Sequence, residues 1–156
     1  MSAEQRIVEL GISLPTSSAP AANYVNAVIS GNLLFIAGKA PLAVAGKLPK
    51  GRLGREYTTD QGYEFARSAC IDLVAVMKAE LGTLDRVRRI VELQGFLNAT
   101  EDFEDHAKVM NGASDLLVAI FAGHGVHARS VLGASSLRGG LPLVLKATVE
   151  IVTALA

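Results

Sequence analysis

The chain has 156 residues, 50% hydrophobic and 19% charged, and its 15 basic side chains balance its 15 acidic ones. This length and apolar content predict a single domain, residues 1–156, with a hydrophobic core of its own. Zero net charge argues against nucleic acid or an anionic membrane as a partner. A single cysteine excludes an internal disulfide. Without a signal-like segment or a membrane-length apolar run, the chain is expected to be soluble and cytoplasmic, with no membrane contact.

The N-terminal part of the chain suggests short strands and a loop. Residues Glu4–Leu10 are interpreted as a first strand, and the Pro- and Ser-rich stretch Ser13–Ala22 as a loop. Two strand-like runs follow, Tyr24–Ile29 and Leu33–Ala37. The residues Ser30-Gly31-Asn32 separate these runs and favour a tight hairpin between them.

A basic loop and a long helix come next. Residues Lys39–Arg55 are rich in glycine, proline and basic side chains, which predicts a surface loop. Thr58 and Gln61 have the spacing of a capping box, so a helix should begin near Thr59. Apolar residues then recur every three or four positions, and Gly82 is expected to end the helix.

The second half of the chain predicts a strand, a helix and two final strands. Val87–Asn98 is strand-like, an amphipathic helix is expected from about Phe103 to Phe121, and Ala128–Ser135 begins the last pair of strands. The predicted fold is a two-layer α+β domain, with about six strands in a mixed sheet and two helices on one face. The uncovered face of the sheet predicts self-association.

The end of the chain carries the most promising polar residues. Arg129 lies at the start of one strand, and Lys146, Thr148 and Glu150 alternate with apolar residues along the last strand. We expect these two strands to be neighbours. The sheet would then hold Arg129 close to the polar row and form a small anion-binding site.

Four segments, in this order, resemble the RidA/YjgF family, whose members are also labelled endoribonuclease L-PSP. They are NYVNAVISGNLLFIAGKAPL, GTLDRVRRIVELQGFLNATEDF, VMNGASDLL and HARSVLGASSL, at residues 23–42, 82–103, 109–117 and 127–137. The resemblance implies a chorismate-mutase-like fold and a homotrimer with ligand clefts between subunits. The longer loop Pro41–Tyr57 and the segment NGASDLL are typical of a divergent branch.

The resemblance also implies a chemistry. Family members hydrolyse reactive enamines or imines such as 2-aminoacrylate to a keto acid and ammonia, and an arginine binds the substrate carboxylate. The matching residue here is Arg129, and the matching cleft positions are Tyr24 and Asn111. A small carboxylate-bearing metabolite is therefore the expected ligand, with no cofactor and no metal.

Two family positions are altered in this sequence. The family's Ser-Gly-Gln is Ala-Gly-Lys at residues 37–39, and its Glu-x-Glu pair falls on Val144 and Lys146. The second carboxylate of that pair positions the attacking water, so a donor replaces an acceptor here. If Lys39, Arg129 and Lys146 line one cleft, the site suits a dianion or polyanion, or a carbonyl compound bound as a lysine imine.

Each candidate residue has a structural alternative. Arg129 is a carboxylate clamp or an ion-pair partner at an interface. Lys146 is an anion contact, half of an intersubunit salt bridge or a reactive amine, and Lys39 has similar roles open to it besides that of a plain loop residue. Tyr24 and Asn111 are ligand contacts or ordinary packing residues. Two functions stay open: a deaminase with a non-standard site, and a non-catalytic ligand- or protein-binding trimer.

Other notable residues favour structural roles. His124 and His127 lack the further ligands that a zinc site needs. Cys70 lies on the apolar face of the long helix and is expected in the core. The basic run from Lys47 to Arg55 has no interleaved aromatic residues, which argues for a solvated loop and against RNA binding.

Overall fold

The computed structural model describes residues 1–153, in which helices pack on one face of a five-stranded sheet. The main elements are α1 (Ala3–Glu9), β1 (Ala27–Ser30), β2 (Leu33–Lys39), α2 (Thr59–Leu81), β3 (Val87–Asn98), α3 (His106–Phe121), β4 (Ala128–Ala134) and β5 (Leu143–Ile151). Short 3-10 turns lie at Leu84–Arg86, Ala122–Gly125 and Arg138–Gly140. The mixed α+β class is confirmed, with five strands where about six were expected and with three helices where two were expected.

The strand order in the sheet is β1-β2-β5-β3-β4. All neighbouring strands are antiparallel except β3 and β4, which are parallel and connected through α3. A parallel pair needs such a crossover, which places β4 beside β3, and β5 then pairs with the other side of β3. The expectation that the last two strands are neighbours is therefore wrong, because β3 lies between them.

The capping signals at both ends of α2 are confirmed. The Thr58 Oγ1 atom accepts a hydrogen bond from the Gln61 backbone N–H at 3.2 Å, and Gln61 Oε1 accepts one from the Thr58 N–H at 2.9 Å. Gly82 ends the helix with a φ of 80°, a conformation that favours glycine. Helix α3 begins at His106, later than expected, because Phe103 N–H bonds to Thr100 O in a turn.

The first segment is a helix, and the strand expected there is wrong. Ser2 and Gln5 form a second capping box, which satisfies the free N–H groups at the start of α1. The buried residues Ala3 and Ile7 are four positions apart and therefore lie on one side of the helix, which packs against α3. The Glu4 carboxylate accepts a hydrogen bond from the Leu84 N–H at 2.8 Å, which fixes α1 to the turn before β3.

The core lies between the sheet and the helices. The alternating apolar residues of β5 all point into it and are buried: Leu143, Leu145, Ala147, Val149 and Ile151. Cys70 is fully buried on α2, as expected, and burial raises the pKa of its thiol to about 12. The thiol is therefore protonated at neutral pH and has a structural role.

The opposite face of the sheet, which we call the open face, carries no helix within residues 1–153. Apolar side chains on it remain exposed, including Phe35 at 44% and Leu132 at 61%. Phe96 and Val144 lie opposite each other on β3 and β5 and are only partly buried. A patch of this kind is typical of a surface that another molecule covers.

Candidate functional site

Arg129 lies near the start of β4, and its side chain points to the helix face of the sheet, against α3. Its Nη1 atom donates to Asn111 Oδ1 at 2.9 Å and to Ser114 Oγ at 3.1 Å. Its Nη2 atom donates to the Ala107 carbonyl at 3.4 Å. Asn111 and Ser114 are three positions apart on α3, so their side chains share one face of that helix. Helix α3 therefore holds the guanidinium in place at one edge of the sheet.

The guanidinium keeps unused hydrogen-bonding capacity. Of its five N–H donors, the Nε–H and one Nη2–H have no partner within residues 1–153, and the side chain is only half-buried. An arginine with two free donors can receive a carboxylate, since charge-assisted bonds to an ionised oxygen are strong. Arg129 and Asn111, both expected near the ligand, lie together in the structure.

Ser114 and His127 support this arrangement, and the sequence did not indicate either role. The carbonyl of Gly125 can only accept, so His127 Nδ1 donates to it at 2.6 Å. In the neutral ring Nε2 is then the acceptor, and Ser114 Oγ lies 2.9 Å from it. Ser114 thus donates to His127 and accepts from Arg129. The i,i+3 spacing of Asn111 and Ser114 was the sequence signal that could have identified Ser114.

Lys39 lies at the end of β2, away from the β4 edge that carries Arg129, and it is buried on the helix face of the sheet. Lys39 is only 3% exposed. Its Nζ atom donates to Ser18 O at 2.9 Å, to Ser18 Oγ at 3.2 Å and to Asn26 Oδ1 at 2.7 Å. A bulge between Ile36 and Lys39 shifts the register of β2, so that Lys39 pairs with the inward-pointing Leu145. The expected surface loop therefore begins only after Lys39.

A buried carboxylate accompanies Lys39. Asp72 on α2 is 1% exposed and accepts hydrogen bonds from Ser18 Oγ at 2.6 Å and from Ser18 N at 3.2 Å. Burial lowers the pKa of Lys39 below its usual value, and the negative charge of Asp72 opposes that shift. Asp72 was missed in the sequence, although an acid beside Leu73 on the apolar face of a helix is a signal.

A cavity of about 240 Å³ lies beside Lys39. Its polar lining includes Tyr24, Lys39, Asp72 and Arg138, and its other residues are mainly small or apolar. Tyr24 is 42% exposed, and its hydroxyl accepts a hydrogen bond from the Ala21 N–H at 3.1 Å. The structure thus brings Tyr24 and Lys39 to one cavity, which we call the Lys39 cavity.

Lys146 points away from both Arg129 and the Lys39 cavity. It lies on β5 opposite Gln94 of β3, its side chain is exposed, and its neighbours Leu145 and Ala147 point into the core. Lys146 therefore projects from the open face, whereas Arg129 projects from the helix face. Within residues 1–153 of one chain, Lys39 and Arg129 therefore do not line the same cleft, and Lys146 lies with neither of them.

Within residues 1–153, no group of three or more His, Cys, Asp or Glu side chains could hold a metal ion. In the same range, no helix has the length and apolar character needed to cross a membrane.

Comparisons with known proteins place the chain in a family. The profile described as "YjgF/chorismate_mutase-like, putative endoribonuclease" matches residues 4–145. Protein TCP17 of Trypanosoma cruzi is 41% identical over 143 residues, which cover 91% of this chain and 89% of that protein.

Two crystal structures are closely similar. Atu1372 of Agrobacterium tumefaciens is 36% identical, with a TM-score of 0.87 over 96% of this chain and 92% of the other. A Shewanella oneidensis protein with the same endoribonuclease description is 33% identical, with a TM-score of 0.92 over 97% and 100%. The resemblance found in the sequence is confirmed, and the chain belongs to the YjgF/chorismate mutase-like family.

Proposed function

We propose that the protein is a homotrimer that binds a small carboxylate-bearing metabolite in a cleft between copies and hydrolyses reactive enamines or imines to a keto acid and ammonia. The observation that carries this proposal is the guanidinium of Arg129. Asn111 and Ser114 fix it, and two of its donors have no protein partner among the described residues. These are the properties of a carboxylate clamp.

The positions of the two groups of candidate residues support a cleft between copies. Arg129 and Asn111 lie at the β4 edge of the sheet, whereas Tyr24 and Lys39 lie on the β1–β2 side. In the proposed trimer, a neighbouring copy would bring the second group to the first. The exposed apolar residues of the open face support such an assembly, which would cover them. The single buried cysteine supports a cytoplasmic location.

An enamine such as 2-aminoacrylate first tautomerises to its imine, in which the terminal carbon gains a proton and the nitrogen loses one. The proposed reaction is then the addition of water to the carbon–nitrogen double bond. The imine carbon gains a hydroxyl group, the resulting carbinolamine releases ammonia, and the carbonyl of the keto acid forms. Arg129 would hold the carboxylate next to the reacting carbon and so fix its orientation. We assign no residue to the activation of water.

The test is hydrolysis of enzymatically generated 2-aminoacrylate, followed by trapping the remainder with semicarbazide. We expect turnover by the wild type and a fall of at least about a hundredfold in kcat/KM for Arg129→Ala, because the orienting contact is lost. Arg88→Ala is the matched control, since Arg88 is an exposed arginine on β3 that contacts only Glu150 in a loose ion pair of 3.7 Å. Equal activity in wild type and Arg129→Ala would contradict the proposal.

A second candidate is a non-catalytic trimer of the same fold that binds its ligand without hydrolysing it. The observation in its favour is the pair Val144 and Lys146, which supplies no carboxylate where the family carries its Glu-x-Glu pair. This candidate predicts that 2-oxobutyrate raises the melting temperature of a wild type that shows no turnover. It further predicts that Lys146→Glu gains hydrolysis, since it restores an acceptor for water.

A further inference from the structure

Arg138 is a cation at the Lys39 cavity whose guanidinium has no protein partner among the described residues. It begins the 3-10 turn that precedes β5, its side chain is exposed, and it lines the Lys39 cavity. Within residues 1–153, its guanidinium makes no salt bridge and no side-chain hydrogen bond. The turn is anchored, because Gly51 N–H donates to the Gly140 carbonyl at 2.9 Å. A fixed loop therefore presents a free guanidinium to an enclosed space.

The other two charged groups at the cavity, Lys39 and Asp72, already have hydrogen-bond partners within the protein. Lys39 uses three N–H donors on Ser18 and Asn26, and Asp72 accepts from Ser18. The charge of Arg138 contributes to the lowered pKa of Lys39, so the two cations act on each other electrostatically. Lys39 and Arg138 together outnumber the single buried carboxylate of Asp72. The cavity consequently has an excess positive charge that an anionic group would neutralise.

We propose that the metabolite is a small dicarboxylate, with one carboxylate bound by Arg129 of one copy and the other by Arg138 of its neighbour. This inference rests on the proposed cleft between copies, in which the two halves face one ligand. The cavity of about 240 Å³ suits a small ligand group, since a water molecule fills about 30 Å³. Tyr24 and the apolar residues Pro41 and Leu42 would enclose the carbon chain between the two anionic ends.

The experiment compares two probes that differ only in the distal group. 2-Oxoglutarate and 2-oxopentanoate have the same five-carbon chain and the same 2-oxo acid end, and only the former has a second carboxylate. Affinities are measured by calorimetry for wild type, Arg138→Gln and the control Arg55→Gln. Arg55 is an exposed arginine that does not line the Lys39 cavity, so the control removes the same charge elsewhere.

We expect wild type to bind 2-oxoglutarate at least about tenfold more tightly than 2-oxopentanoate, as a charge-assisted bond predicts. Arg138→Gln should remove that preference and leave 2-oxopentanoate binding within about twofold, whereas Arg55→Gln should keep it. Equal affinity of the wild type for both acids overturns this inference and leaves the proposed function standing. A preference that survives in Arg138→Gln also overturns it. Binding of neither acid removes the proposed function and this inference with it.

Discussion

Two parts of the sheet each hold a cation on the helix face: β4 carries Arg129, and β2 carries Lys39. The two cations differ in how many hydrogen-bond donors they have left for a ligand. Arg129 is half-buried, and α3 uses only part of its donor capacity. Lys39 is buried, and the loop between α1 and β1 uses all three of its N–H groups. Free donors and access to solvent, and not charge alone, therefore distinguish a ligand-binding residue from a structural one.

The largest effect that we expect concerns stability on the Lys39 side. Asp72→Ala should lower the free energy of unfolding by about 3–5 kcal/mol, because it leaves the buried Lys39 ammonium without its nearby negative charge. Urea denaturation of wild type and variant measures this change. The double variant Lys39→Met with Asp72→Leu should recover part of the loss. If Asp72→Ala alone is as stable as the wild type, Lys39 is not held by a compensating charge.

The next largest effect concerns binding on the Arg129 side. Arg129→Lys keeps the charge but loses the planar fork, so we expect 2-oxobutyrate to bind more weakly by about 1.5–3 kcal/mol. The melting temperature without ligand should hardly change, because the residue is partly exposed. Calorimetry and thermal unfolding separate the two effects. Arg88→Lys is the matched control. A large loss of stability without a loss of binding would instead make Arg129 a structural residue like Lys39.

A dependence on pH sharpens the comparison further. Because the folded state lowers the pKa of Lys39 below its usual value of 10.5, the unfolded chain binds more protons near that range. The free energy of unfolding contributed by Lys39 should therefore rise as the pH increases towards 10.5. The measurement compares wild type and Lys39→Met at several pH values, so that other titrating groups cancel. If the stability of the wild type relative to Lys39→Met instead falls as the pH rises, burial is not the main influence on the pKa of Lys39.

Regular patterns made much of the fold predictable. The capping box of Thr58 and Gln61 marked the start of α2, and the alternation along β5 marked its buried face. The same capping logic applied to Ser2 and Gln5, but a helix of seven residues is too short for its periodicity to stand out from a strand. Strand order depends on the crossover through α3, which a pattern within one strand does not record.

The candidate site was predictable where the residue pattern or the family resemblance reached it. Arg129 was identified by the pattern at the end of the chain and again by the resemblance, Asn111 by the resemblance alone, and the structure adds that they bond to each other. The bulge that turns Lys39 inwards leaves only one sign in the sequence, Gly38, because an isolated glycine in a strand can mark a bulge but does not say which way the next side chain turns. Arg138 had no distinguishing context, because its importance comes from loops that meet only in the fold.

The smallest effect tests the support beneath Arg129. Ser114→Ala removes one acceptor from the guanidinium and also the donor to His127 Nε2, while Asn111 still holds Nη1. Asn111 still orients the guanidinium after this change, so the loss of one supporting contact should lower 2-oxobutyrate affinity only several-fold, by about 0.5–1.5 kcal/mol. Ser135→Ala, at an exposed serine that makes no contact with Arg129, serves as the control in the same titration. If Ser114→Ala weakened binding as much as Arg129→Lys, then the orientation of the guanidinium, and not its free donors, would be the property that distinguishes Arg129 from Lys39.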